Sequence, residues 1–200
     1  MIDLHIHTNY SDGTDTVIDV LKKAEELKLD IISITDHENC NAYFELEEID
    51  IKKYFSGIIL PGIELKTQYN EKTIDVLGYG IDYKKMQNYI DEYYKDMSRE
   101  KIEQLKLEEF YKIAKKLDLV VRPIEELVWD KTRQWGSIVF YDEVKAHEEN
   151  KSKVPEDFWE SFVNFRKNYY KVKGNKFYVN MSKYYPTLEK IIDMIHLSRW

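Results

Sequence analysis

A single cysteine, Cys40, occurs in the 200 residues, so no disulfide can close within one chain, which fits a reducing compartment. Cys40 itself reads as a small filler or loop residue, not a nucleophile. No apolar run approaches the roughly 18 to 20 residues that a membrane helix needs, and the first residues lack the basic region and long apolar stretch of a secretion signal. These absences predict a cytoplasmic protein with no membrane partner. Net positive charge is missing too: 30 Lys and Arg face 37 Asp and Glu, a formal charge of -7. That balance excludes a bulk electrostatic grip on nucleic acid, although a local metal cluster can still capture one phosphate. The chain shows no internal repeat and no low-complexity linker.

What is present suits one globular domain. A hydrophobic fraction of 43% over 200 residues buries a substantial core without a structural metal. Sixteen tyrosines and four tryptophans lie mostly after residue 80, where rings with a polar tip suit amphipathic helices and interfaces.

The first 80 residues alternate in type. "IDLHIH" reads as a strand, Thr14-Asp15-Thr16 as helix caps, and "VIDVLKKAEELKL" as a helix with Val17, Val20, Leu21, Ala24 and Leu27 on one face. "DIISITDH" is a second strand, "AYFELEEIDIKKYF" a helix, "GIILPGIEL" a third strand and "KTIDVLGYGI" a fourth. Strands alternating with helices predict parallel βαβ units and an α/β fold. From Lys84 the character becomes helical. Residues 84–118 contain no Gly or Pro and predict one long helix or two with a slight break. "LVVRP" reads as an extended piece, "IEELVWDKTRQWGSIVFYDEVKAHEEN" as two short helices around Gly136, and "EDFWESFVNFRKNYY" as one amphipathic helix. "KFYVN" suits a short strand or extended arm, and Pro186-Thr187 starts a last helix, "LEKIIDMIHLSRW".

In a parallel sheet, functional groups gather at the carboxyl edge. Side chains two apart on a strand face the same way, so Asp3, His5 and His7 share a face opposite Leu4 and Ile6, with Asp12 just beyond. Strand two ends in Thr35-Asp36-His37, strand three in Pro61-Gly62-Ile63-Glu64, and strand four carries Asp75. His5, His7, Asp12, His37, Glu64 and Asp75 are therefore candidate metal ligands, a mixed imidazole and carboxylate set that suits divalent zinc, manganese or iron. Ions in such a set can bind both the attacking water and the leaving oxygen of a phosphate ester. His147, in a charged helix end, reads as solvated surface, and His196, beside Ile191, Ile192 and Ile195, as a packed or interfacial residue. Arg99 and Arg122 are the arginines that could meet a phosphate.

The motifs "DLHIHTNYSDGTD", "ISITDH", "PGIELK" and "IDVLGYGID", in this order and spacing, resemble those of the PHP family (polymerase and histidinol phosphatase), metal-dependent phosphoesterases. The resemblance implies a distorted (β/α) barrel, incomplete here, with a mostly helical insertion and up to three divalent metal ions. It implies that His5, His7 and Glu64 ligate one ion, that Glu64 bridges to a second, and that Asp12 and His37 belong to a third, with Asp36 steadying a ligand. It divides the chain into a β/α core at residues 1–83, an insertion at residues 84–180, and a return helix at residues 181–200 toward a carboxyl-terminal core the sequence lacks. Two departures stand out: Asp75 takes the place of a usual histidine, and the later Ala-His-Pro and Asp-x-His motifs do not follow Trp200. Two functional readings result. One is hydrolysis of a phosphate ester, whether a small monoester, a nucleotide or an oligonucleotide end, by a metal-activated water. The other is a metal-binding or assembly module without catalysis. The open sheet edge of a shortened barrel further predicts a homo-oligomer.

Overall fold

The computed structural model describes residues 1–130 and 135–199. In chain order the strands are β1 (Ile2–Ile6), β2 (Ile31–Ile34), β3 (Ile58–Ile59), β4 (Gly62–Tyr69) and β5 (Lys72–Tyr79). The helices are α1 (Val17–Glu26), α2 (Asn41–Glu47), α3 (Tyr83–Tyr94), α4 (Arg99–Lys116), α5 (Gly136–Lys145), α6 (Glu156–Glu160), α7 (Phe162–Phe165) and α8 (Leu188–Leu197). The chain divides into two compact units, Met1–Lys95 with Ser182–Trp200, and Asp96–Met181. No helix among the described residues is long and apolar enough to cross a membrane.

In the first unit the fold is mixed α/β. β1, β2 and β3 run parallel, with Ile2, Ile31 and Ile58 in register. Thr16 caps α1 by accepting from the Asp19 N–H while the Asp19 carboxylate accepts from Thr16 in return. The helix then buries Val17, Val20, Leu21 and Ala24 against Ile32 and Ile34 of β2. Leu27, expected on that face, lies past the helix end and is exposed.

The third strand is interrupted. Leu60 still donates to the Ile32 carbonyl, and β4 rejoins the line of β2 through pairing of His37 with Glu64. Pro61 has no N–H to offer the ladder, so the strand breaks there into β3 and β4. The expectation of four parallel strands is corrected at β5, which pairs antiparallel with β4 over Gly62–Tyr69. Only two residues, Asn70 and Glu71, connect them, too few for a parallel crossover. Both sit at positive φ, 48° and 60°, as a type I′ hairpin turn requires.

Helix α8, capped by Thr187, packs Ile191, Met194 and Ile195 into the same core. The preceding Pro186 carbonyl accepts from Thr67 Oγ1 at 2.8 Å and from the Gln68 N–H at 2.9 Å. His196 lies on the outer face of α8 and is exposed, so the packed position expected for it is not found.

The second unit is helical around aromatic rings. It opens with α4, a helix separate from α3 of the first unit and capped by Ser98. The helix expected over residues 156–170 is broken at Ser161, whose backbone is extended at φ -157° and whose hydroxyl caps Asn164 instead. Of the two short helices expected around Gly136, the first is a single turn at Ile124–Glu126 and Gly136 opens the second; residues 131–134 and Trp200 lie outside the described residues. "KFYVN" forms no strand, but Phe177 and Val179 are buried in the cluster that also holds Phe110, Phe140, Phe158 and Phe165.

Arg122 and His147 take structural roles that the sequence did not suggest. The carboxylate of Glu143 accepts from the Arg122 N–H at 2.8 Å, from Arg122 Nε at 2.8 Å and from Nη2 at 2.7 Å, and lies 2.9 Å from His147 Nε2. Burial works to raise the pKa of Glu143, yet its Arg122 and His147 partners outweigh that and bring it down to about 2. A carboxyl held below its ordinary value stabilises the fold at pH above about 4.5 and loses that contribution as pH falls toward 2. The expected result is a urea midpoint that drops between pH 5 and pH 3, with a smaller drop in Glu143→Gln; equal drops in both proteins would remove Glu143 as the cause.

Candidate metal centre

The site begins where β1 ends. The Thr35 N–H donates to the Ile6 carbonyl at 2.7 Å, tying the ends of β1 and β2 together. Beyond His7 the chain folds back on itself, with Ser11 and Gly13 N–H groups donating to the Thr8 carbonyl and Asn9 to Asp15. A side chain at Gly13 would lie 2.4 Å from the His7 carbonyl oxygen, so only glycine permits this return. The return brings Asp12 Oδ1 to 3.4 Å from His7 Nδ1.

Asp36 holds that loop. It is buried, and its carboxylate accepts from the Thr8 N–H at 2.7 Å, from Thr8 Oγ1 at 2.6 Å and from Ser11 Oγ at 2.5 Å. Ser11 Oγ in turn lies 3.3 Å from His7 Nδ1. A buried carboxylate with three donors is a satisfied group that fixes its surroundings. Thr8 and Ser11 were not anticipated as part of the site; their position between "HIH" and Asp12 was the available signal.

Glu64 is the hub. Its Oε2 lies 3.0 Å from His5 Nε2, 3.0 Å from His7 Nε2 and 3.7 Å from His37 Nε2. His37 Nε2 is also 3.5 Å from Asp12 Oδ2. The three imidazole rings follow one another, with centroids 5.0 Å apart for His5 and His7 and 4.8 Å for His7 and His37. Three overlapping groups emerge, His5-His7-Glu64, His7-Asp12-His37 and His37-Glu64-Asp75, each with potential ligand atoms within 4.8 Å of one another. Asp75 reaches the edge by the hairpin rather than by a parallel strand of its own, opposite Lys66 in the β4–β5 register. All six expected ligand residues therefore lie in one connected cluster, and His196 of the same unit is not among its members.

The donor set fits a divalent ion. Several imidazole nitrogens crowd around one carboxylate oxygen, and imidazole with carboxylate is a ligand mixture used by zinc, manganese and iron. His37 Nδ1 is buried without a hydrogen-bond partner, so the ring's Nε2, which faces Asp12 and Glu64, is its engaged side. At the border, Tyr79 donates to the Leu4 carbonyl at 2.8 Å. Burial, and then the negative charge of Glu64, raise the pKa of Tyr79 and keep it a donor.

Residues 3–196, nearly the whole chain, match the PHP domain model. The chain belongs to the PHP domain family. Among curated PHP-related proteins it is 31% identical over 80 residues to the 5'-3' exoribonuclease Rnm of Escherichia coli K12, covering 40% of this chain and 27% of that protein. It is 30% identical over 82 residues to a 3',5'-nucleoside bisphosphate phosphatase of Chromobacterium violaceum, covering 40% and 28%. The matched segments thus span less than a third of these relatives' length. Solved structures share the fold. An amidohydrolase from Chromobacterium violaceum, with bound sulfate and no metal, superposes with a TM-score of 0.55 at 22% identity, covering 98% of this chain and 63% of the other. A protein described as a metal-dependent phosphoesterase from Bifidobacterium adolescentis gives 0.54 at 17%, with the same coverage.

Proposed function

We propose that this PHP-domain chain is a metal-dependent phosphoesterase. The observation that carries the reading is the convergence of three histidines on Glu64, flanked by Asp12 and Asp75, in three groups that share members. His5, His7 and Glu64 would hold one ion, and Glu64 with Asp75 a second; His37 offers one nitrogen, Nε2, and would complete either the second site with Asp75 or a third with Asp12. Divalent ions bound there supply Lewis acidity toward a phosphate ester and lower the pKa of water. The chain's own contribution is orientation. Asp36 fixes the loop that carries Asp12, and Gly13 lets that loop close on β1.

Two relatives named for a nucleoside bisphosphate phosphatase and an exoribonuclease support a nucleotide, a small phosphomonoester or an oligonucleotide end as substrate class. A formal charge of -7 disfavours long nucleic acid held by electrostatics. The fold is then an incomplete PHP-type barrel with a helical insertion at residues 84–180, most of which lies in the compact second unit, Asp96–Met181.

Metal content per chain, measured on protein purified without chelator, tests this reading. About two to three equivalents of manganese, iron or zinc are expected, falling in His7→Ala, together with hydrolysis of a phosphomonoester panel that EDTA abolishes. Metal binding without hydrolysis would assign the chain to the metal-binding or assembly role instead. Less than about half an equivalent, unchanged by the substitution, would overturn the metal centre altogether.

A further inference from the structure

Lys66 follows Glu64 by two residues on β4, which places both on one face of the strand. Across the hairpin it is in register with Asp75, and its Nζ lies 3.4 Å from Asp75 Oδ1. Asp75 is also a member of the His37-Glu64-Asp75 group. One carboxylate thus faces both an ammonium and a site for a divalent ion.

The lysine is held in place. Its side chain is 28% exposed, its Nζ lies 5.9 Å from the centre of the Tyr185 ring, and its backbone N–H donates to Glu38 Oε1 at 2.9 Å. A cross-strand ion pair of this exposure contributes little to stability. Its location at the rim of the cluster is what distinguishes it. An ammonium on a four-carbon stem can swing without the backbone moving, and it binds phosphate as a point charge.

We propose that Lys66 is a substrate-binding residue whose ammonium rests on Asp75 and transfers to the phosphate of the ester when Asp75 engages a divalent ion with His37 and Glu64. The proposal rests on the metal reading above and adds to it a residue that recognises the anion. It makes metal and phosphate binding interdependent. Before the ion arrives, Lys66 competes for Asp75; afterwards, Asp75 is neutralised and the freed ammonium faces the phosphate.

The test is calorimetric titration of the full chain with manganese alone, then of the manganese-loaded protein with inorganic phosphate, for wild type, Lys66→Met and Lys66→Arg. Lys66→Met is expected to tighten the weakest class of manganese site by about fivefold, because the competing cation is gone. The same variant should weaken phosphate binding by about tenfold, whereas Lys66→Arg should retain most of it. A purely structural pair would alter the melting temperature slightly and leave both titrations unmoved. If either the manganese or the phosphate titration of Lys66→Met equals wild type, the proposal is overturned while the metal centre stands. A wild-type chain that binds no manganese overturns the metal centre and this proposal together.

Discussion

Glu64→Gln is expected to lower phosphoesterase kcat/KM by roughly a thousandfold or more and to remove at least one bound ion. Glu64 belongs to two of the three ligand groups, and its Oε2 stands within 3.0 Å of two imidazole nitrogens. Glutamine has the same shape, so packing around a residue only 6% exposed should survive. What disappears is the negative charge that makes a shared oxygen able to serve two cations. The amide also presents N–H groups where histidine nitrogens now converge. Melting of the chelated protein should therefore change little, while activity and metal content collapse. Asp75→Asn, which touches one group at the exposed rim, should have a smaller effect. Activity of Glu64→Gln within tenfold of wild type would remove Glu64 from the centre.

Phe165→Ala is expected to destabilise the helical unit by about 4 kcal/mol, the range for emptying an aromatic site in a packed core. Phe165 is fully buried at the end of α7. Its ring meets Phe158 at 4.8 Å, Tyr170 at 5.3 Å, Tyr141 at 5.7 Å, Phe110 and Phe140 at 5.9 Å and Phe177 at 6.0 Å between centroids. Phe110 of α4 and Phe140 and Tyr141 of α5 come from helices distant in sequence, so no local repacking fills the void. A fall of roughly 16 to 32 °C in the corresponding calorimetric transition follows from the usual entropy of unfolding for a unit of this size. Phe162→Ala, at the partly buried start of α7, should fall less. Equal shifts for the two would mean that the cluster is not centred on Phe165.

The candidate ligands were legible because each lies in a short strand or just beyond its end, where apolar alternation gives way to a polar residue. His5, His7, His37 and Glu64 all carry that signature. Asp75 was legible as a residue but not in its route to the site. The hairpin turn has asparagine and glutamate where Asn-Gly would have announced it, so β5 read as another parallel strand. The Ser161 break was silent because serine, unlike proline or glycine, carries no strong signal against a helix. The contacts of Glu143 with Arg122, by contrast, join chain segments that no local pattern links. Lys66 carries no such signal: a lysine on a strand ordinarily points to solvent, and its pairing with Asp75 is what shows otherwise.

The Asn70-Glu71 turn gives the site an arithmetic of odd and even. Side chains on β5 alternate, and the turn sets which parity faces Glu64 and His37. One residue inserted between the turn and Asp75 would place Ile74 opposite Lys66, exchanging a carboxylate for a hydrocarbon without altering any ligand codon. A pair of inserted residues would restore the face but carry Asp75 two rungs farther along the hairpin, opposite Glu64. Strand length here is thus as much a chemical specification as residue identity.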